Sequence, residues 1–254
     1  MSTLVFVLAL AYQLAGLWLK TYACFLLLTV VFYGLRRARH DWPAVGAQTP
    51  EEWPHVTVQL PIFNEPYVAQ RIVTAVAALD YPRERLHIQV LDDSTDRTAT
   101  LLPALVQRLR REQGVDITYH HRRDRQGYKA GALAAGLSAT ESEFIAVFDA
   151  DFVPRPDWLR RTLPALLAHP ELAFVQTRWA HLNRQQNLLT TAQALALDGH
   201  FVVEQQARSA MGLWQNFNGS GGLWRRAAIL DAGGWSADTV TEDLDLSYRA
   251  QGLS

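Results

Sequence analysis

The sequence predicts an α/β fold, a mostly parallel sheet flanked by helices, joined to an N-terminal transmembrane segment. Three observations carry this reading. An almost unbroken apolar run covers residues 4–35. From Val56 onward, short apolar runs alternate with amphipathic stretches, which is the pattern of βαβ units. Acidic clusters then close several of the apolar runs, and open α/β sheets place their ligands at the carboxyl ends of strands.

The N-terminal run from Leu4 to Leu35 is nearly all apolar or aromatic, with Gln13 and Lys20 as interruptions. About 20 apolar residues span a bilayer, and this run exceeds that. Arg36, Arg37, Arg39 and His40 follow at once, and basic residues beside a span stay on the cytoplasmic side. A signal peptide is disfavoured, because no basic region precedes the run and the run is too long. A buried core helix is the alternative, and both a single crossing and a re-entrant hairpin around Lys20 remain open. Residues 1–40 are thus the span and its basic flank. Residues 41–55, with Pro43, Gly46, Pro50 and Pro54, read as a linker, and residues 56–254 as the catalytic domain.

Along that domain the expected strands are 56–60, 88–91, 116–120, 144–148 and 172–177. Helices are expected near 67–79, 97–112, 128–138 and 157–168, with a longer helical stretch over 187–211. Gly219, Gly221 and Gly222 interrupt the pattern before Leu223. Hydrophobic residues make up 49% and the net charge is −1, so bulk electrostatics give no case for nucleic acid. The single cysteine, Cys24, excludes an internal disulfide and suits a cytosolic catalytic part.

The acidic clusters carry the chemistry. The loop Pro61-Ile62-Phe63-Asn64-Glu65 should lie beside Asp92-Asp93-Ser94-Thr95-Asp96 at the next strand end. Helix capping explains either cluster alone, but together they favour a nucleotide. Arg125–Gly131 opens the third helix of the domain. A helix N-terminus binds anions, and Lys129 adds a positive charge for a diphosphate. Neither a P-loop nor a G-x-G-x-x-G fingerprint is present. Asp149-Ala150-Asp151 puts two carboxylates at alternate positions of a strand end; if the strand persists they point the same way, and one can ligate Mg²⁺ or Mn²⁺. Thr239-Val240-Thr241-Glu242 matches a capping box, which explains Glu242 but not Asp243, a candidate general base. His120-His121 read as strand-end residues. The sequon Asn218-Gly219-Ser220 has no meaning in a cytoplasmic domain, and Gly219–Gly222 lacks the spacing of a nucleophile elbow.

The ordered set resembles glycosyltransferase family 2 with a GT-A (Rossmann-like) fold, and within it the membrane polysaccharide synthases of the cellulose-synthase-like A and C group. It is carried by Pro61–Glu65, Gln89–Asp96, Gly127–Leu133, Phe148–Phe152, Val175–Trp179, Phe217–Gly222 and Thr241–Leu246. The resemblance implies that Pro61, Glu65, Asp93 and Lys129 hold the nucleotide. It implies that Asp149 and Asp151 hold sugar-diphosphate and metal, Asp151 as the direct ligand. Asp243 would be the base, and Phe217, Asn218, Gly219, Ser220 and Glu242 would flank the acceptor. The reaction would be an inverting transfer of a hexose, from GDP-mannose or UDP-glucose, to a growing β-linked polysaccharide at the cytoplasmic face of the bilayer.

Such synthases carry a Q-x-x-R-W motif beyond the T-E-D segment and then further membrane helices. Gln176-Thr177-Arg178-Trp179 is not that motif, and the chain stops at Ser254, which implies a C-terminally truncated fragment. Two other readings therefore stay open. One is single addition to a lipid-linked acceptor, as in ceramide glucosyltransferase. The other is a truncated, non-catalytic binder of nucleotide-sugar.

Overall fold

The computed structural model describes residues 3–37 and 50–253, without the side chains of Arg36 and Arg37. The basic residues Arg39 and His40, and the expected linker as far as residue 49, lie outside the described residues. In chain order the elements are α1 (Thr3–Arg37), β1 (Val56–Ile62), α2 (Ala69–Ala77), β2 (Leu86–Asp92), α3 (Thr98–Gln113), β3 (Ile117–His121) and α4 (Tyr128–Ser138). They continue with β4 (Phe144–Val147), α5 (Trp158–Ala168), β5 (Phe174–Gln176), α6 (Leu188–Asp198), α7 (Gln206–Ala210), β6 (Gly222–Arg225), α8 (Arg226–Asp231) and α9 (Glu242–Gln251). They fall into two compact units, residues 1–41 with 178–215, and residues 42–177 with 216–254.

In the first unit α1 runs unbroken through Lys20, so the hairpin alternative does not form. Its 35 residues extend about 52 Å at the helical rise, against a hydrocarbon core of about 30 Å. Nearly all its apolar side chains are exposed, unlike those of a core helix, with Thr29 buried near its C-terminal end. It is long and apolar enough to cross a membrane. The helical stretch expected over 187–211 is α6 and α7 joined by a π-helical segment, Gly199–Gln205. Asn187 caps α6 by accepting from the Thr190 N–H while Thr190 Oγ1 accepts from the Asn187 N–H. Arg178 and Arg184 both pair with Asp198.

The second unit is a six-stranded sheet in the order β3-β2-β1-β4-β6-β5. β3, β2, β1 and β4 are parallel, while β6 runs antiparallel to both β4 and β5. The strand β6 and the short α8 are additions to the predicted pattern. A run of four residues that itself begins on a glycine, just behind Gly219 and Gly221, gives too few alternations to register as a strand.

Side-chain alternation sets the two faces. Val56, Val58, Leu60 and Ile62 of β1, with Phe144 and Ala146 of β4, enter one core with α2, α3 and α5. The helix α5 presents Leu159, Leu163 and Leu166 to it, at helical spacing. The intervening Ile145 and Val147 face the other core with Leu133, Leu137, Phe217, Trp224, Ile229, Trp235 and Leu246. Each fully buried side chain of this size contributes about 1.5–3 kcal/mol relative to exposure. The parallel register brings Ile62 level with Asp92, so the carboxyl ends of β1 and β2 finish together and β4 ends beside them.

Candidate active site

Three loops meet at the ends of β1, β2 and β3. Asn64, held at φ 54°, joins the first two: its N–H donates to Ser94 Oγ at 2.8 Å, and its Oδ1 accepts from the Thr95 N–H at 2.9 Å. The expected adjacency of Pro61–Glu65 and Asp92–Asp96 is present. Pro61 lies in β1 opposite Leu91, and Glu65 is exposed just beyond it. Asp92 is fully buried and accepts from the Ser94 N–H and from Tyr119 Oη at 2.7 Å. Burial and that bond hold the Tyr119 phenol well above its usual range. Asp96 accepts from the Thr98 N–H at 2.9 Å, and hydrogen bonding from Thr98 lowers its carboxyl.

Asp93 behaves differently from its neighbour. Arg122 grips it through both forks, Nε to Oδ1 at 2.7 Å and Nη2 to Oδ2 at 2.5 Å. The pair is largely buried, the side chains 20% and 4% exposed, and the bond to Asp93 raises the Arg122 guanidinium. The same guanidinium donates to the Gln126 carbonyl at 3.1 Å and the Tyr128 carbonyl at 2.9 Å, which ties the start of α4 to the end of β2. Arg125 then stacks 3.4 Å from the Phe63 ring centroid and joins the third loop to the first. Sequence reasoning missed Arg122. It carries no motif, and its partner lies 29 positions away.

At β4 the strand ends at Val147, so Asp149 and Asp151 sit in a turn and do not continue the strand alternation. The Asp149 N–H donates to Ser220 Oγ at 2.9 Å, and Asp151 is exposed, with its carbonyl accepting from Arg71. Burial pushes the Asp149 carboxyl up. Lys129 works against that rise, while Asp151 and Asp243 add to it.

The segment 217–221 is braced by Gln176. Its Nε2 donates to the Ser220 carbonyl at 2.9 Å, and its Oε1 accepts from the Asn218 N–H at 2.8 Å. The Thr177 N–H donates to the Gly221 carbonyl at 3.0 Å. Phe217 and Ser220, expected beside the acceptor, are buried at 1% and 0%. Phe217 packs edge-on to Trp224 and fills the space where a Cβ on Gly222 would stand. Their side chains build the loop from beneath, and Gly219 presents its backbone above them.

The capping box expected at Thr239–Glu242 does not form. The N-cap is Thr241, with no side-chain cap bond, and Glu242 is the first residue of α9. Glu242 is therefore released from the structural role assigned to it, and its Oε1 lies 3.7 Å from Lys129 Nζ. Asp243 Oδ1 accepts from the Leu244 N–H at 2.8 Å. Asp245 is committed elsewhere, to Arg249 at 2.7 Å. Lys129 draws the pieces together: its Nζ is 2.6 Å from Asp149 Oδ1 and donates to the Gly219 carbonyl at 3.0 Å. Gly219 has φ +80°, and a Cβ there would meet Asp243 Oδ2 at 2.8 Å and Lys129 Nζ at 3.2 Å.

Ions of the magnesium class bind one or two carboxylates and complete their shell with phosphate oxygens and water. Asp149 and Asp151 supply that donor type. Among the described residues, no group of three His, Cys, Asp or Glu is gathered to hold an ion alone. The donor set fits a divalent cation shared with a diphosphate.

Residues 54–253 match the family model described as glycosyltransferase like family 2. The chain is 44% identical over 213 residues to glucomannan 4-beta-mannosyltransferase 1 of Oryza sativa subsp. japonica, covering 83% of this chain and 40% of the relative. It is also 44% identical over 214 residues to glucomannan 4-beta-mannosyltransferase 2 of Arabidopsis thaliana, with the same coverage. The chain thus spans about 40% of the length of these relatives. Among solved structures, a mannosyltransferase from Pyrobaculum calidifontis in complex with GDP-Man and Mn²⁺ is 25% identical with a TM-score of 0.66. That match covers 89% of this chain and 59% of the other. TarS of S. aureus, 15% identical with a TM-score of 0.54 over 77% of this chain and 55% of its own, shares the fold.

Proposed function

The chain belongs to glycosyltransferase family 2, and on that premise we propose that it is the donor-binding and catalytic part of an inverting hexosyltransferase that extends a β-linked polysaccharide. The observation that carries the reading is the meeting of Asp149, Glu242 and Asp243 around Lys129, from segments about 90 residues apart. GDP-mannose is the preferred donor, supported by the names of the curated relatives and by the ligand of the P. calidifontis neighbour.

The donor's nucleotide is assigned to the loops of Pro61, Glu65 and Asp93, and its diphosphate to the start of α4. Asp151 and Asp149 would hold Mg²⁺ or Mn²⁺, which when bound offsets the charge building on the leaving diphosphate. Asp243 takes the proton of the acceptor hydroxyl as that oxygen bonds to the anomeric carbon. The bond from that carbon to the diphosphate oxygen breaks on the opposite side. Glu242 and the Gly219 backbone border the acceptor, while Phe217, Asn218 and Ser220 shape the loop. The helix α1 anchors the protein in the bilayer, and Arg36, Arg37 and Arg39 favour a cytoplasmic site.

The test separates donor from acceptor. Asp243→Asn should lower transfer about 10²–10⁴-fold, the usual worth of a positioned base, with donor affinity nearly unchanged. Asp151→Asn should weaken metal-dependent binding of the nucleotide diphosphate. Wild-type transfer by Asp243→Asn would move the base to Glu242. Unchanged metal dependence in Asp151→Asn would remove the metal site. Release of one sugar per lipid, instead of polymer, would favour the single-addition reading.

A further inference from the structure

Lys129 enters the sequence argument as a diphosphate ligand, yet its ammonium is already engaged. It contacts Asp149 Oδ1 at 2.6 Å and the Gly219 carbonyl at 3.0 Å, with Glu242 Oε1 at 3.7 Å. Asp243 Oδ2 and Lys129 Nζ lie close to the same point above Gly219, no more than about 6 Å from one another. One lysine therefore serves two carboxylates and a carbonyl, with a third carboxylate, Asp243, nearby, and Asp151 lies two residues from Asp149. Without a positive charge among them these acids repel one another, and the repulsion is strong where water is partly excluded.

We propose that Lys129 is a resident cation, occupying the metal-facing carboxylate of Asp149 in the donor-free protein and moving to the diphosphate when donor and metal arrive together. This rests on the reading above, in which Asp149 and Asp151 face the metal. The physical reason is charge balance. A divalent ion entering alone would sit against an ammonium that already occupies Asp149 Oδ1. An ion arriving with a diphosphate brings the anion to which the lysine can turn. Donor and metal then bind as a unit. Lys129 lets go of Asp149 and of the Gly219 carbonyl in the same step, so the region of Asp243 opens for the acceptor only after the donor is seated.

The two roles of a lysine give opposite signs, and that makes the test sharp. Mn²⁺ is titrated into the intact protein in detergent, with free Mn²⁺ read by its paramagnetic resonance signal, first alone and then with GDP. Lys129→Met should bind Mn²⁺ alone about tenfold or more tightly than wild type, because the competing charge is gone. The same variant should bind Mn²⁺–GDP more weakly, having lost the diphosphate partner. Lys129→Arg, which keeps the charge, should stay weak for Mn²⁺ alone, and both variants are checked by thermal unfolding. If Lys129→Gln and Lys129→Met, both folded, bind Mn²⁺ alone no better than wild type, the resident-cation role is overturned. Asp151→Asn, run beside them, distinguishes the two failures. If it abolishes Mn²⁺–GDP binding while Lys129→Met leaves Mn²⁺ alone unchanged, only the lysine role falls. If it changes nothing, the metal assignment falls and the proposal with it.

Discussion

The half of the site proposed to hold the donor and the half proposed to carry catalysis are held by different means. On the donor side, side chains pair directly with side chains of the neighbouring segment, Tyr119 with Asp92 and Arg122 with Asp93. Asn64 joins its loop to the next through its own N–H to Ser94 Oγ and its Oδ1 to the Thr95 N–H. On the catalytic side the braces grip backbone. Ser220 Oγ holds the Asp149 N–H, Gln176 holds the backbone of 218 and 220, and Gly219 takes a φ of +80°. The donor half can thus lose affinity one side chain at a time. On the other side each brace holds backbone that positions several groups, so a single change there is expected to displace them together.

Arg122→Ala gives the largest stability effect expected from this contrast. It leaves Asp93 buried without its partner, and breaking such a pair costs about 3–5 kcal/mol. Urea unfolding would measure it. A loss under about 1 kcal/mol would mean that the pair behaves as an exposed one and the donor half is not built around it. Ser220→Ala comes next. The Asp149 N–H loses its acceptor, at a cost of about 1–3 kcal/mol, and transfer should fall more than donor binding because Asp149 and Gly219 shift together. Equal losses in donor affinity and turnover would erase the distinction between the halves. Asn64→Ala is the smallest, about 1–2 kcal/mol from the lost Oδ1 bond to the Thr95 N–H and the left-handed backbone, with donor affinity falling while turnover at saturating donor holds.

The same contrast explains what could be read in the sequence. The parallel strands and the neighbouring first two loops were legible, because apolar period and acidic punctuation lie within each βαβ unit. The span was legible for the same reason, though only the structure excludes a hairpin at Lys20. β6 was not, since the four residues from Gly222 to Arg225 become a strand only by pairing with β4, about 75–80 residues earlier. Phe217 and Ser220 read as acceptor-facing because their motif is contiguous, whereas nearly all of it, Asn218 excepted, is buried. The capping box failed because the N-cap of α9 is Thr241, two residues after the Thr239 that should have capped it, and the helix begins at Glu242 itself. Arg122 had no local signal at all, although a basic residue just past a strand end, opposite a buried acid, is the pairing that burial demands.

The Gln176 brace has a consequence for how this fold can be varied. Just after Thr177 the chain departs, and it returns at Asn216, and the two ends of that excursion are already fastened to each other through Gln176, Asn218 and Gly221. Loop closure is the step whose entropy grows only slowly with length, about 0.6 kcal/mol for each doubling. With the knot tied at its base, residues 178–215 can lengthen, shorten or be exchanged while Asp149 and Gly219 keep their places. The clasp at its base, and not the length of chain beyond it, then sets where the turn of Asp149 stands.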